Sequence, residues 1–139
     1  MKVEQFTVTL GRRERGFHLV TEEIERQIDL SGIRKGIAQI FLQHTSASLS
    51  ISENCEANVR RDMETFFSDL ADKDENYYTH TYEGKDDMPA HLKSVMLGTS
   101  LSIPVTYGHF NLGAWQGIYL NEHRNSAGAR SVVITVMGE

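Results

Sequence analysis

Residues 130–137 (RSVVITVM) constrain the fold of this chain more than any other segment. Successive side chains of a strand point to opposite faces of a sheet, and here the apolar side chains fall on both faces. A strand that is apolar on both faces is typical of the interior of a sheet. We therefore predict that this segment is a central strand, with the other strands of the chain beside it.

The remaining segments complete an α+β pattern. Alternating or short apolar runs predict strands at residues 2–10, 17–20, 36–44, 49–52, 99–107 and 116–123. The 3.6-residue period predicts helices at residues 21–30 and 54–70, and a third with Pro89 in its first turn and Gly98 at its end. This order predicts one domain, residues 1–139, with a mixed or largely antiparallel sheet and helices packed on one side.

The helix patterns also predict which side chains are buried. Thr21 is expected to cap the first helix. The apolar stripe of the second helix consists of Val59, Met63, Phe66, Phe67 and Leu70, and that of the third of Met88, Leu92, Val95 and Met96. Both stripes are expected to face the core.

Composition narrows the class of protein. The chain is 40% hydrophobic and 24% charged, which is ordinary for a globular protein. A net charge of −5 argues against nucleic acid as a partner, and no apolar run approaches the roughly 20 residues that span a membrane. The single cysteine, Cys55, cannot form an internal disulfide, and we expect a cytoplasmic protein.

Three polar segments carry the candidate chemistry: residues 77–94, 44–54 and 112–124. The first contains His80 and His91, and His44 closes the strand before the second. Neutral imidazole is a common zinc ligand, so these three histidines are candidate metal ligands, with His44 also a candidate proton carrier. The alternative is that each histidine is simply hydrogen-bonded to a neighbour or to water.

Other polar residues suit a divalent cation or a phosphate. Glu83, Asp86 and Asp87 offer oxygen ligands of the kind that Mg²⁺ prefers, although Asp87 could instead cap the third helix. The candidate cations for phosphate oxygens are Lys85, Lys93, Arg124 and Arg130, and the candidate anion cradle is His44–Thr45–Ser46–Ala47–Ser48. Neither a P-loop nor a GxSxG nucleophile elbow is present.

Together these blocks resemble a known family. The segments HTSASLSISEN, YTHTYEGKDDMPAHLKS, GTSLSIPV and LGAWQGIYLNEHR, with the terminal VVITVMGE, are similar to the YjbQ-like family, described as secondary thiamine-phosphate synthases. The resemblance implies an α+β homotrimer with a divalent metal, zinc or magnesium, bound by histidine and carboxylate. Matched by motif, it implies these site residues: His44, Thr45, Ser46, His80, Glu83, Asp86, Asp87, His91, Trp115, Gln116, Glu122 and Arg124.

The implied reaction joins an aminopyrimidine-methyl pyrophosphate to a thiazole phosphate and releases pyrophosphate. In this reading, His44, Glu83, Asp87 and Arg124 are catalytic. The substrate-binding residues are Thr45, Ser46, Lys93, Trp115, Gln116 and Glu122, and the metal ligands are His44, His80 and His91. The alternatives are a metal- or small-ligand-binding trimer without turnover, and a metal-dependent phosphohydrolase.

Overall fold

The computed structural model describes residues 1–139. The strands are β1 (Lys2–Leu10), β2 (Gly16–Leu19), β3 (Lys35–Leu42), β4 (Ala47–Glu53), β5 (Ser100–Thr106), β6 (His109–Phe110), β7 (Gln116–Glu122) and β8 (Arg130–Gly138). The helices are α1 (Thr21–Glu25), α2 (Ala57–Ala71) and α3 (Asp87–Leu97). The structure is a single-domain α+β fold.

Two antiparallel sheets form the body of the molecule. The larger sheet has the order β1-β8-β3-β5-β6, and the smaller sheet has the order β2-β7-β4. The core cluster joins inward-facing residues of both sheets, such as Ile40 and Ile134 from the larger and Leu49 and Leu120 from the smaller. Side chains from two facing sheets therefore fill one continuous core.

The central position of residues 130–137 is confirmed. β8 pairs with β1 along one edge and with β3 along the other. Val132, Ile134 and Val136 of β8 are fully buried in the core. The prediction of one sheet is corrected to two, because strand alternation shows which face is buried but not which strands pair.

Helix α1 is shorter than predicted, since it ends at Glu25 instead of residue 30. The Gln27 side chain accepts a hydrogen bond from Thr9 N and donates to Thr9 O, which ties the chain to β1. Thr21 does not cap the helix, because its Oγ1 accepts a hydrogen bond from Ile118 N in β7. Tertiary hydrogen bonds therefore override the local signals for this helix.

The predicted buried face of α3 is wrong. Val95 is 82% exposed and Met96 is 51% exposed, whereas the polar residues Asp87, Lys93 and Ser94 are buried. α3 packs over β4, on a face of the smaller sheet that carries polar side chains such as Ser48 and Asn121. The helix therefore turns its polar side chains toward this face. The stripe of α2 is only partly packed, since Phe66 and Leu70 remain exposed.

Both long helices lie on the same side of the molecule, against the smaller sheet, as the predicted one-sided arrangement requires. The outer face of the larger sheet has no helix on it. None of the helices combines the length and the apolar character that crossing a membrane demands.

Close backbone contact at the start of β3 gives a stability prediction. A Cβ atom on Gly36 would clash with the Met137 carbonyl and approach Ile33 Cγ2 to 2.8 Å. We expect Gly36→Ala to lower the free energy of unfolding by about 1–3 kcal/mol, because the crowding atoms are mainly backbone. Urea titration checks this, with Gly128→Ala as control, since nothing lies within 4 Å of its Cβ position; equal stability of the two variants would contradict the packing argument.

Candidate functional site

Two histidines and one carboxylate meet at the start of α3. His80 Nε2 lies 2.7 Å from Asp87 Oδ2, and His91 Nε2 lies 2.9 Å from the same oxygen. The ring centroids of the two histidines are 5.3 Å apart. We call these three residues the His-Asp-His cluster; one ligand atom from each lies within 4.8 Å of the others.

The local sequence explains the cluster. Asp87 and His91 are four residues apart on α3, so both side chains emerge from one face of the helix. His80 arrives from the loop that joins α2 to α3, which turns back at Gly84 with a φ of +111°. The i,i+4 spacing of Asp87 and His91 was the sequence signal that could have grouped them as ligands.

Arg124 fastens this loop to the end of β7. Its guanidinium donates to Asp86 Oδ2 at 3.2 Å and to the Glu83 carbonyl at 2.9 Å, and lies 3.0 Å from Asp87 Oδ1. Burial alone would raise the pKa of Asp87, but the hydrogen bond from His80 and the charges of His91 and Arg124 hold that pKa below its usual value. The Glu83 side chain is exposed, 4.0 Å from Arg124.

The ring of His91 is held from both sides. Its Nδ1 is 2.7 Å from the Thr45 carbonyl, which can only accept, so Nδ1 carries the hydrogen. In a neutral ring, Nε2 then presents a lone pair to the Asp87 carboxylate. Two lone pairs at 2.9 Å require a positive charge between them. A proton or a metal ion meets this requirement, so the donor set fits a cation.

His44 is not part of the His-Asp-His cluster. Its Nε2 accepts a hydrogen bond from Ser131 N at 2.8 Å. Burial, and then the nearby charge of Arg130, lower the pKa of His44. With Thr45 and His91, it lines an open groove beside α3. The structure thus places Asp87, and not His44, with His80 and His91. The predicted metal ligands His44, His80 and His91 are corrected to His80, Asp87 and His91.

Glu122 and Ser46 lie behind the site. Arg130 Nε donates to Glu122 Oε1 at 2.7 Å and Arg130 Nη2 to Ser46 Oγ at 3.0 Å, and all three residues are buried. A buried, hydrogen-bonded ion pair of this kind fixes neighbouring segments. The structure therefore places Glu122, Ser46 and Arg130 out of contact with a ligand on the surface.

A buried polar layer beneath α3 was not expected from the sequence. His123 Nε2 lies 2.8 Å from Ser48 Oγ, and Asn121 Nδ2 donates to the same oxygen at 3.0 Å. Lys93, predicted to bind substrate, is fully buried with its Nζ 3.4 Å from Asp72. Burial is the main cause that lowers the pKa of Lys93. No local spacing signals this layer, because α3 and the smaller sheet assemble it.

Trp115 and Gln116 lie at the other end of β7 from Glu122. A strand of seven residues spans about 20 Å, so the two do not reach the His-Asp-His cluster of their own chain. Trp115 is 67% exposed. Gln116 lines a cavity of about 550 Å³ that also includes Thr21 and Asn54.

Comparison with known proteins identifies the family. Residues 4–139 match the family described as UPF0047 protein YjbQ-like. The chain belongs to this family. The resemblance seen in the sequence blocks is therefore confirmed.

Relatives and solved structures extend the match over the whole fold. The UPF0047 protein YjbQ of Escherichia coli O157:H7 is 52% identical over 136 residues, covering 97% of this chain and 98% of that protein. A UPF0047 protein of Synechocystis is 38% identical, covering 97% of this chain and 92% of its own length. A crystal structure of a YbjQ-like protein of unknown function from Sulfolobus solfataricus P2 has a TM-score of 0.86 at 25% identity, with 99% of both chains covered.

The buried histidine gives a pH prediction. Burial, followed by the charges of Lys93, Arg15 and Arg130, lowers the pKa of His123 from 6.5 to about 3. Between these values the unfolded chain binds a proton at this residue that the folded chain does not, so stability falls as the pH falls. Between these two pKa values, we expect His123→Gln to reduce the slope of unfolding free energy against pH by about 1.4 kcal/mol per pH unit.

Denaturant titrations between about pH 4 and pH 6.5 measure this slope. His109→Gln, at an exposed histidine, is the control and is expected to keep the wild-type slope. An unchanged slope in His123→Gln would contradict the assignment of a neutral buried ring.

Proposed function

We propose that this chain is a metal-assisted transferase that acts on phosphorylated heterocycles, with thiamine-phosphate synthesis as the activity to test. The His-Asp-His cluster is the observation that carries the proposal. One oxygen of a buried carboxylate lies within 3 Å of two imidazole nitrogens, and that arrangement is well suited to a divalent cation. The family likeness supplies the choice of reaction.

The donor set bears on the identity of the metal. Two imidazole nitrogens and one carboxylate oxygen are ligands that zinc accepts, whereas magnesium prefers oxygen ligands and several waters. We therefore propose zinc before magnesium. When bound, such a cation would neutralise negative charge that develops on pyrophosphate as it leaves.

The proposed reaction needs no nucleophile from the protein. The thiazole nitrogen attacks the methylene carbon of the pyrimidine, the carbon–oxygen bond to pyrophosphate breaks, and pyrophosphate leaves with the bonding electrons. The protein has to hold two rings in line and stabilise the departing anion. Arg124 contributes indirectly in this proposal, because its ion pairs hold Asp87 and the loop in position.

A cleft beside His80 offers further cations for pyrophosphate. It has a volume of about 200 Å³, and its lining includes Lys73 and Lys85 together with two acidic residues, Asp74 and Glu75. Both lysines are exposed, and neither forms a salt bridge. The ammonium group of Lys85 is therefore available to phosphate oxygens, whereas that of Lys73 lies 5.6 Å from the centroid of the Tyr77 ring.

The other charged residues near the site are already paired, and this favours a second candidate function, metal or ligand binding without turnover. Glu122, Asp86 and Arg124 are all committed to ion pairs or backbone hydrogen bonds. A site whose charges are already matched is also what a metal- or ligand-binding protein without turnover requires. Stoichiometric metal without any product would support this alternative, and phosphate release from generic esters would instead support a phosphohydrolase.

Replacement of the shared carboxylate tests the leading proposal. We expect Asp87→Asn to weaken zinc binding more than about tenfold, because a neutral amide replaces the anionic ligand. We also expect pyrophosphate release from the two purified substrates to fall by a similar or larger factor. Calorimetry with zinc and a pyrophosphate assay measure the two effects.

His109→Ala is the matched control, since this exposed histidine lies on β6 away from the cluster. It is expected to keep both zinc binding and pyrophosphate release. If Asp87→Asn binds zinc and releases pyrophosphate as well as the wild-type protein does, the cluster is ruled out as the site. If the wild-type protein binds zinc but releases no pyrophosphate from the two substrates, the non-catalytic alternative would be favoured.

We also propose a cytoplasmic homotrimer, and an apolar row on the larger sheet supports the contact between copies. Val3, Met137, Ile37 and Pro104 are in register across β1, β8, β3 and β5. All four are exposed on the outer face of the sheet. An exposed apolar row of this kind is typical of a protein–protein contact.

A charge in the middle of this row is expected to separate the copies. Ile37→Glu would place a carboxylate in an apolar contact, so we expect the trimer to dissociate. Light scattering of the purified protein measures the mass. Leu70→Glu, on the exposed side of α2, is expected to leave the trimer intact; a wild-type protein with the mass of one chain would contradict the trimer itself.

A further inference from the structure

An open groove runs beside the His-Asp-His cluster. It has a volume of about 500 Å³ and lies between the segment that follows β3 and the second half of α3. We call it the His44 groove; it is lined by His44, Thr45, His91, Ser94, Val95, Gly98 and Thr99. Because His91 belongs to both, a molecule in the groove would adjoin the cluster.

The tautomer of His44 is fixed by its surroundings. Its Nε2 is 2.8 Å from the backbone nitrogen of Ser131, and a backbone N–H can only donate. The Nε2 lone pair is therefore occupied, and this nitrogen cannot carry a hydrogen. The neutral ring must carry its hydrogen on Nδ1.

His44 Nδ1 is left without a partner. This nitrogen makes no hydrogen bond within the chain. It is not fully enclosed, so a ligand could reach it. The ring lines the His44 groove, so a molecule bound there is the partner that we infer for this N–H. Ser131 is the second residue of the central strand β8, which holds the ring in a rigid frame.

The lining indicates the kind of molecule that the groove would hold. None of the lining residues is an aspartate, glutamate, lysine or arginine. Val95 supplies exposed apolar surface, while Thr45 and Thr99 supply hydroxyls. Apart from His91, whose Nε2 faces Asp87 in the cluster, the lining is uncharged. Such a lining with one fixed donor suits an uncharged ring that carries a hydrogen-bond acceptor.

We propose that the His44 groove binds the uncharged heterocyclic part of the ligand, and that His44 donates its Nδ1 hydrogen to a ring nitrogen or carbonyl of that heterocycle. This inference rests on the proposed function for the choice of heterocycle and for the anionic part of the ligand, which would reach the cluster. His44 is thus a positioning donor, and neither a metal ligand nor a base. Burial and the charge of Arg130, which lower the pKa of His44, favour the neutral ring.

Two substitutions separate the two nitrogens of His44. His44→Asn keeps an amide N–H near the position of Nδ1 but loses the acceptor for Ser131. His44→Gln places its amide near Nε2, where its oxygen can accept from Ser131, but offers no donor at Nδ1. The probe is the unphosphorylated hydroxymethyl form of the aminopyrimidine, and calorimetry measures its binding to the zinc-loaded protein.

We expect His44→Gln to bind this probe about tenfold more weakly than wild type, and His44→Asn to remain within about threefold, because a lost hydrogen bond leaves the ligand acceptor unpaired. His109→Gln serves as the matched control. Equal binding by wild type and His44→Gln, or no binding to wild type, would overturn the proposal. So would nitrogen NMR that finds the His44 hydrogen on Nε2.

The same variants distinguish this inference from the proposed function. Zinc binding is expected to be unchanged in both His44 variants, since His44 lies outside the cluster. Probe binding through His44 without pyrophosphate release would contradict the transferase and leave the groove assignment standing. Pyrophosphate release that is unaffected in His44→Gln would contradict the groove assignment alone.

Discussion

A buried carboxylate needs positive charge or hydrogen-bond donors around it, and in this chain Asp87 obtains both. Its side chain is 3% exposed, and His80, His91 and Arg124 converge on its two oxygens. These partners come from a loop, from α3 and from the end of β7. The charge of Asp87 therefore ties the loop and the start of α3 to the segment after β7, which is distant in sequence.

Further buried polar groups that need partners lie behind α3. The helix turns polar residues inward because the smaller sheet presents Ser48, Asn121 and His123 on the facing side. Lys93 is buried in this layer. Such a layer costs free energy where its groups lack partners, as Asn121 Oδ1 and His123 Nδ1 do. The same layer supports the helix that carries Asp87 and His91.

The site has two chemically different parts. The His-Asp-His cluster provides nitrogen and oxygen ligand atoms and a carboxylate charge, whereas the residues of the His44 groove other than His91 are uncharged. With the proposed cation held by the cluster, a molecule with an anionic end and an uncharged ring would match both parts. Thr45 connects them, because its carbonyl holds the ring of His91 and its side chain lines the groove.

The sequence by itself determined the α+β class, the central strand β8 and the position of most elements, because these follow from local side-chain periodicity. It also named His80, Asp87, His91 and Arg124 as candidate site residues, which the structure brings together. Only the tertiary structure decided that there are two sheets, since strand pairing depends on contacts between distant residues. It likewise decided that Asp87 replaces His44 in the cluster and that Lys93 is buried, because both depend on how α3 docks on the smaller sheet.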